Sequence, residues 1–379
     1  MAAVRVGVVK ESAPGERRVA VVPAVVPRLR DLGAEVIVEN DAGAAAFLPD
    51  SAYVEAGAGV AEGGPLDVLA DVLLCVAPPP AERLARLRSG QLLIGLLNPL
   101  GNPELVATCA RRGVTAVSLD LLPRTLSRAQ SMDALTSQAN IAGYKAALVA
   151  ADAYGRYFPM LMTAAGTAKP AQVLVLGVGV AGLSAIGTAR RLGAVVTGYD
   201  IRPETREEVR SVGARFLDLS GVAVGNGEGG YARALSDEER QAQQEALQQR
   251  IGEFDVVITT ALVPGRKPPL LVTQEALKGM RPGSVVIDLA AGALGGNVEG
   301  SVPDHTVLVA DGVSVIGAGN LASDMAPGAS AAYARNITAL TAHLFRDGVP
   351  VLDLDDEIQS AVVLTHAGAV LNPILGGAR

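Results

Sequence analysis

Gly177, Gly179 and Gly182 close an apolar run and open an amphipathic one, and Asp200 ends the apolar run that follows. Three glycines at this spacing with an acid beyond them are the residue types that grip the pyrophosphate and ribose of a dinucleotide. Gly177 permits a tight turn, Gly179 lets backbone approach a pyrophosphate with no Cβ in the way, and Gly182 allows close packing of helix on strand. The N–H groups that begin the helix, at Val180 and Ala181, lack intrahelical acceptors, and with the positive end of the helix dipole they favour an anion. Asp200 lies 18 residues past Gly182, an interval suited to a carboxylate accepting from a ribose 2′-hydroxyl. A 2′-phosphate would meet that carboxylate as a like charge, which favours NAD(H) over NADP(H). Arg202, beyond Ile201, keeps the other choice open, because a nearby arginine can accommodate a 2′-phosphate.

These residues need a strand, a helix and a second strand to hold them. Residues 172–176 are aliphatic and β-branched with little polar alternation, as in a parallel strand covered on both faces. Leu183, Ile186, Thr188, Ala189 and Leu192 give the helix its buried side, and Gly193 is placed to end it. Residues 194–199 form the strand that delivers Asp200. The first third of the chain alternates in the same way. Strands are predicted at 5–9, 35–38, 72–76, 92–97 and 114–119, with helices at 23–32, 51–56, 81–87 and 103–112. Such βαβα alternation implies open parallel sheets wrapped on both sides. The predicted fold class is therefore α/β, two doubly wound parallel-sheet (Rossmann-like) domains separated by a cleft and joined by a long helix. Residues 1–134 and 326–379 form a discontinuous first domain, and 135–325 the dinucleotide-binding domain.

The joining helix is read from apolar positions at Leu135, Ala139, Ala142, Ala146, Val149 and Ala153, with Ser131 or Asp133 able to cap its start. About 20 residues span roughly 30 Å, enough to cross between domains. Gly143 inside it implies either close packing against a neighbour or a surface helix that tolerates glycine. Gly225-Asn226-Gly227-Glu228-Gly229-Gly230-Tyr231 is too glycine-rich for a stiff element; it is either a loop that closes over a nucleotide or an inert excursion. Residues 236–250 read as an exposed helix, and 255–260 and 284–288 as further strands. Thr260, Ala261 and Leu262 leave their strand where α/β sheets bind ligands. Gly317 and Gly319 follow a strand at 313–316, and a helix at 330–345 returns the chain to the first domain. Residues 360–378 carry no Asp, Glu, Lys or Arg. His366, Asn372-Pro373 and Gly376-Gly377 interrupt them, so the prediction is a buried helix and an irregular tail, with no membrane span.

Composition narrows the class. A chain of 379 residues with 49% apolar and 19% charged residues is globular and long enough for two cores. Its net charge of −7 leaves no basic surplus for nucleic acid. Cys75 and Cys109 read as reduced, buried thiols. The start lacks the layout of a signal peptide, so a cytoplasmic location is expected.

The segment Pro123-Arg124-Thr125-Leu126-Ser127-Arg128-Ala129-Gln130-Ser131-Met132-Asp133-Ala134-Leu135-Thr136-Ser137-Gln138 resembles the NAD(H)-binding domain of proton-translocating nicotinamide nucleotide transhydrogenases, of the alanine dehydrogenase/transhydrogenase superfamily. The likeness extends over almost the whole chain, through residues 5–11, 16–20, 162–167, 229–232 and 259–265. It implies that Arg124, Gln130 and Asp133 hold the nicotinamide end and face the partner nucleotide, with Thr136 where the family commonly has serine. An amide and a carboxylate can fix a carboxamide, and an arginine can bridge cofactor groups. Read without the resemblance, the lesser alternative for Arg124 and Asp133 is an ion pair plus a helix cap. The resemblance also makes residues 229–232, with Tyr231, a mobile loop over the nucleotide.

Alanine dehydrogenases share the start and the glycine turn but use a lysine after the third strand and a histidine after the fourth. The corresponding segments here, 75–80 and 96–100, contain neither. Oxidising an amine or alcohol needs a proton acceptor, whereas hydride exchange between two nicotinamides needs no general base. His305, His343 and His366 are read as structural or exposed. The family's proline and arginine are missing from residues 320–324. The expectation is thus an NAD(H)-binding alpha subunit that exchanges hydride with NADP(H) on a beta subunit, coupled to proton movement through a membrane-spanning subunit. By the resemblance it is a homodimer, peripheral on the cytoplasmic membrane face and separate from any membrane helices. The alternatives are a stand-alone amino-acid dehydrogenase and an NAD-sensing module without catalysis.

Overall fold

A computed structural model describes residues 3–61, 65–219, 237–262, 265–309 and 311–376. The chain divides into two compact units, Met1–Gln138 with Ala322–Arg379, and Ala139–Leu321. The first begins with β1 (Arg5–Val8), α1 (Val26–Arg30), β2 (Glu35–Glu39), α2 (Asp50–Glu55) and β3 (Gly59–Ala61). It continues through α3 (Leu66–Leu69), β4 (Val72–Leu74), α4 (Ala81–Arg86), β5 (Leu92–Gly95), α5 (Pro103–Arg111) and β6 (Thr115–Ser118). Helix α6 (Ala134–Ala153) then carries the chain across the boundary at residue 138.

The second unit starts with a hairpin, β7 (Leu161–Thr163) and β8 (Gly166–Ala168), followed by β9 (Gln172–Leu176), α7 (Val180–Arg191), β10 (Val195–Tyr199), α8 (Thr205–Ser211) and β11 (Arg215–Phe216). After α9 (Asp237–Ile251) come β12 (Val256–Thr259), α10 (Gln274–Lys278), β13 (Val285–Asp288), β14 (Thr306–Val309) and β15 (Val313–Gly317). The chain returns to the first unit through α11 (Ala326–Leu344), a small hairpin β16 (Phe345–Arg346) and β17 (Val349–Pro350), α12 (Glu357–Val362), β18 (Val363–His366) and β19 (Ala369–Val370).

Each unit is built on one large twisted sheet. The first has the order β19-β18-β6-β5-β4-β1-β2-β3, parallel from β6 to β3; the second has the order β11-β10-β9-β12-β13-β15-β14, parallel except for β14. In both, the chain first winds outward in one direction and then restarts from the central strand in the other. This creates a reversal between β1 and β4 in one unit and between β9 and β12 in the other, the place where α/β sheets take ligands. Central strands β4, β5, β12 and β13 are buried at every residue, which explains their unbroken apolar runs. Each sheet is covered by apolar clusters on its two faces: Val6, Val8, Val72 and Ile94 against Tyr333 and Ile337 on one face of the first, and Val173, Val175 and Ile258 with Ala146 and Ile186 on one face of the second.

Two expectations need correction. Residues 360–378 do not form a helix with an irregular tail. Helix α12 ends at Val362, and β18 pairs antiparallel with β6, then folds back on β19 across Ala367 and Gly368, both at positive φ. The run Val363-Leu364-Thr365 is buried at the flank of the sheet, where it covers an edge that would otherwise be open. Helix α9 is not wholly exposed: Leu247 and Ile251 enter the core, and the side-chain amides of Gln244 and Gln248 donate to the Leu271 carbonyl. The short elements β3, α3, β14 and the hairpins went unpredicted because two to four residues give no measurable period.

Candidate nucleotide site

Strand β9 ends at Leu176 and α7 starts at Val180, so three residues make the turn. Gly177 has φ +90°, a left-handed conformation open to glycine. A Cβ on Gly182 would lie 2.0 Å from the Gly177 carbonyl oxygen, so the first turn of α7 sits directly on the backbone of the turn. A Cβ on Gly179 would meet nothing within 4 Å. The glycines thus divide the work: two are demanded by the fold, and the middle one leaves space above the backbone. No side chain caps α7 and its first turn carries no acid, so its leading N–H groups and the positive dipole end are left for an outside anion.

Asp200, at the end of neighbouring β10, turns back onto this loop. Its Oδ2 accepts from the Val178 N–H at 2.7 Å, and its carboxylate accepts from the Arg202 N–H at 3.0 Å and from the Arg202 guanidinium at 3.1 Å. Burial opposes charge on Asp200, but the bonds from Arg202 and Val178 outweigh it and hold the carboxyl below its ordinary range. The guanidinium is engaged by that carboxylate, and one of its nitrogens also reaches the Val178 carbonyl at 3.4 Å. Ile201 is exposed beside it.

On the other flank, β12 delivers Thr260, whose hydroxyl donates to the Gly177 carbonyl at 2.8 Å. Ala261 is paired on both backbone groups by the Asn297 side chain: its N–H donates to Oδ1 at 3.0 Å, and its carbonyl accepts from Nδ2 at 2.9 Å. Leu262 is exposed. Asn297 and Asp288 are fully buried. The Asp288 carboxylate accepts from the Thr259 hydroxyl and from the N–H groups of Ala290, Asn297 and Val298. Sequence reasoning missed both residues. A signal existed, since Asp288 ends a parallel strand as Asp200 does.

Helix α6 reaches the same turn from behind. A Cβ on Gly143 would lie 2.0 Å from the Ala181 carbonyl oxygen, and the Ser184 hydroxyl donates to the Asn140 carbonyl at 2.7 Å. Gly143 is therefore a close-packing glycine, not a tolerated surface one.

The four residues expected at the reacting end, Arg124, Gln130, Asp133 and Thr136, lie in the first unit and are described within it. Asp133 caps α6. Its Oδ1 accepts from the Thr136 N–H at 2.9 Å and its Oδ2 from the Thr136 hydroxyl at 2.6 Å. Arg124 and Gln130 are exposed. Among the described residues neither side chain has a hydrogen-bond or ion-pair partner, so the cap forms without an Arg124–Asp133 ion pair. Tyr231, with the rest of residues 225–232, and Val263 and Pro264 lie outside the described residues.

The reversal point of the first unit is arranged differently. Glu11, just past β1, places its carboxylate on the Val76 N–H at 2.6 Å and the Ala77 N–H at 3.3 Å, and Pro78, Pro79 and Pro80 follow without donors. Burial pushes the Glu11 carboxyl up to about 7 against those two bonds. The segments at 75–80 and 96–100 present neither lysine nor histidine. His343 bonds Asp356 and His366 bonds Thr115, while His305 is exposed on the Pro303 carbonyl. Among the described residues no helix is long and apolar enough to cross a membrane.

Comparison with known proteins agrees in extent with both units. The family description "Alanine dehydrogenase/PNT, N-terminal domain" matches residues 7–142, and "Alanine dehydrogenase/PNT, C-terminal domain" matches residues 146–373. The chain is 43% identical to the first part of the NAD(P) transhydrogenase alpha subunit of Rhodospirillum rubrum, over 98% of this chain and 99% of that protein. Among solved structures, a transhydrogenase from Sinorhizobium meliloti superposes with a TM-score of 0.86 at 43% identity, covering 97% of this chain and 99% of that one. An L-alanine dehydrogenase superposes with a TM-score of 0.79 at 25% identity, covering 98% of each.

Proposed function

The chain belongs to the alanine dehydrogenase/PNT family, and from that premise we propose that it is the NAD(H)-binding alpha subunit of a proton-translocating transhydrogenase. The observation that carries the reading is near end-to-end similarity to a protein named as the first part of a transhydrogenase alpha subunit. The Gly177 to Gly182 turn supports it: space above Gly179, free helix N–H groups and a charged Asp200 are what a pyrophosphate and an adjacent ribose require. In this reading Gly177, Gly179, Val180, Ala181 and Gly182 hold the pyrophosphate, Asp200 takes the ribose hydroxyl, and Ile201, Arg202, Tyr231, Thr260, Ala261 and Leu262 line the remainder. Engagement of Arg202 by Asp200 favours NAD(H) here, with NADP(H) on a beta subunit.

Arg124, Gln130, Asp133 and Thr136 are assigned to positioning the nicotinamide for hydride exchange with the second nucleotide. Hydride passes from the dihydronicotinamide to the oxidised ring without proton release, so no general base is required. The absence of a lysine or histidine from residues 75–80 and 96–100 fits that chemistry and disfavours an amino-acid substrate. The subunit is proposed to act as a homodimer on the cytoplasmic membrane face, with a membrane-spanning subunit coupling transfer to proton movement. The test mixes the purified chain with an NADP(H)-binding beta domain of this family and follows hydride transfer between nucleotides. Substituting Gln130→Ala or Asp133→Asn should lower the transfer rate by roughly 10- to 1000-fold, the scale of lost orientation and preorganised contacts. Alanine-dependent NAD reduction by the chain alone, or binding of NADH with no transfer in the mixture, would overturn the proposal.

A further inference from the structure

We propose that Asn297 is a positioning residue for nucleotide binding, acting through the backbone of Ala261; the inference rests on the reading of this unit as the NAD(H) site. Residues 260–262 leave β12 without a neighbouring strand to pair Ala261. Asn297 supplies that pairing from a side chain, with an acceptor for the Ala261 N–H and a donor for its carbonyl. The same amide donates to the Pro269 carbonyl at 2.8 Å, and the Asn297 backbone carbonyl accepts from Leu271 and Val272. One fully buried residue therefore holds the backbone at both Ala261 and Pro269.

Asn297 is itself located by Asp288, which accepts from the backbone N–H groups of Asn297 and Val298. The approach is close enough that a Cβ on Gly296 would lie 2.1 Å from the Asp288 carboxylate. The result is a continuous path of short contacts: Asp288 holds Asn297, Asn297 holds Ala261, and adjacent Thr260 donates to the Gly177 carbonyl. Gly177 and the Thr260–Ala261 backbone are already at contact, since a Cβ there would lie 2.9 Å from the Thr260 hydroxyl and 3.1 Å from the Ala261 nitrogen. Freeing Ala261 lets the 260–262 segment leave the turn. The glycine turn then keeps its own geometry but loses one wall of its site. The Asn297→Asp change keeps the acceptor for Ala261 and loses both donors, so it separates the two halves of the clamp.

The measurement is NADH affinity by nucleotide fluorescence, with thermal melting of the same samples. Asn297→Ala should weaken NADH binding about tenfold, the scale of one lost pair of buried hydrogen bonds, in protein that still unfolds cooperatively. Asn297→Asp should weaken it in the same direction. Thr260→Val should be non-additive with Asn297→Ala, because both release the same segment. A merely structural role predicts lower melting temperatures with unchanged NADH affinity in either variant, and that result would sink the proposal. Failure of the wild-type chain to bind NADH would instead strike at the function, not at Asn297. Should Asn297→Ala fail to fold, Asn297→Asp, alone and combined with Thr260→Val, decides the matter.

Discussion

The two units place a reversal of strand order at the same point of their sheets and treat it in opposite ways. At β9/β12 the turn is glycine-rich, the space above Gly179 is clear and no side chain among the described residues caps the start of the helix. At β1/β4 the chain answers its own donors: the Glu11 carboxylate occupies the N–H groups of Val76 and Ala77, and prolines follow. A buried carboxylate on two N–H groups is the arrangement an anionic ligand would make, supplied internally. Topology therefore marks where a site is possible in both units, and a few side chains decide which one is open.

That contrast can be broken most directly at Gly182. A Gly182→Val change sets a branched side chain against the Gly177 carbonyl and should cost NADH affinity at least about a hundredfold, with a loss of stability of roughly 1–3 kcal/mol from overpacking, read by fluorescence titration and melting. A variant that bound NADH normally would show that the turn is not the site. The closed crevice is sharpened by Glu11→Gln. Because folding raises the Glu11 carboxyl from 4.5 to about 7, its stability contribution is complete below about 4.5 and disappears as pH rises through about 7. The folded state binds the extra proton in that window, so wild-type stability should fall from pH 5 to pH 8 by an amount on the order of a few kcal/mol. Glu11→Gln should flatten that slope, and an unchanged slope in melting experiments would remove Glu11 as its cause. The smallest effect is expected at Gly179→Ala. The added methyl meets no protein atom, so the melting temperature should stay within about a degree while NADH affinity drops about tenfold. A shared loss of both would mean that Gly179 serves the fold.

Much of this was legible in the sequence because it rests on local demands. Glycine spacing, an unbroken aliphatic strand and an acid after the next strand specify the β9-α7-β10 unit from contiguous residues. Gly143 announced a close contact but not its partner, since Ala181 is distant in sequence and only packing joins them. The links made by Asp288 and Asn297 were hidden for the same reason: Asp288 accepts from the Thr259 hydroxyl and from the N–H groups of Ala290, Asn297 and Val298, Asn297 bonds the backbone of Ala261, Pro269, Leu271 and Val272, and backbone partners carry no sequence signature. The hairpin of β18 and β19 was misread because an uncharged apolar stretch reads alike as buried helix or buried strand until the edge of β6 is seen to need a partner. Asp133 shows a different limit. Its cap on α6 was one of two options in the sequence, Ser131 being the other, and one carboxylate serving the Thr136 N–H and hydroxyl together is a matter of geometry.

The contact between Gly143 and Ala181 behaves as a bearing. Where helices meet through side chains, small displacements are absorbed by rotamer changes; here backbone rests on backbone, and nothing lies between to yield. A shift at the start of α7 of even a few tenths of an ångström toward α6 must be matched by the α6 backbone itself. The middle of a long helix is thereby made rigidly answerable to the glycine turn at the start of α7.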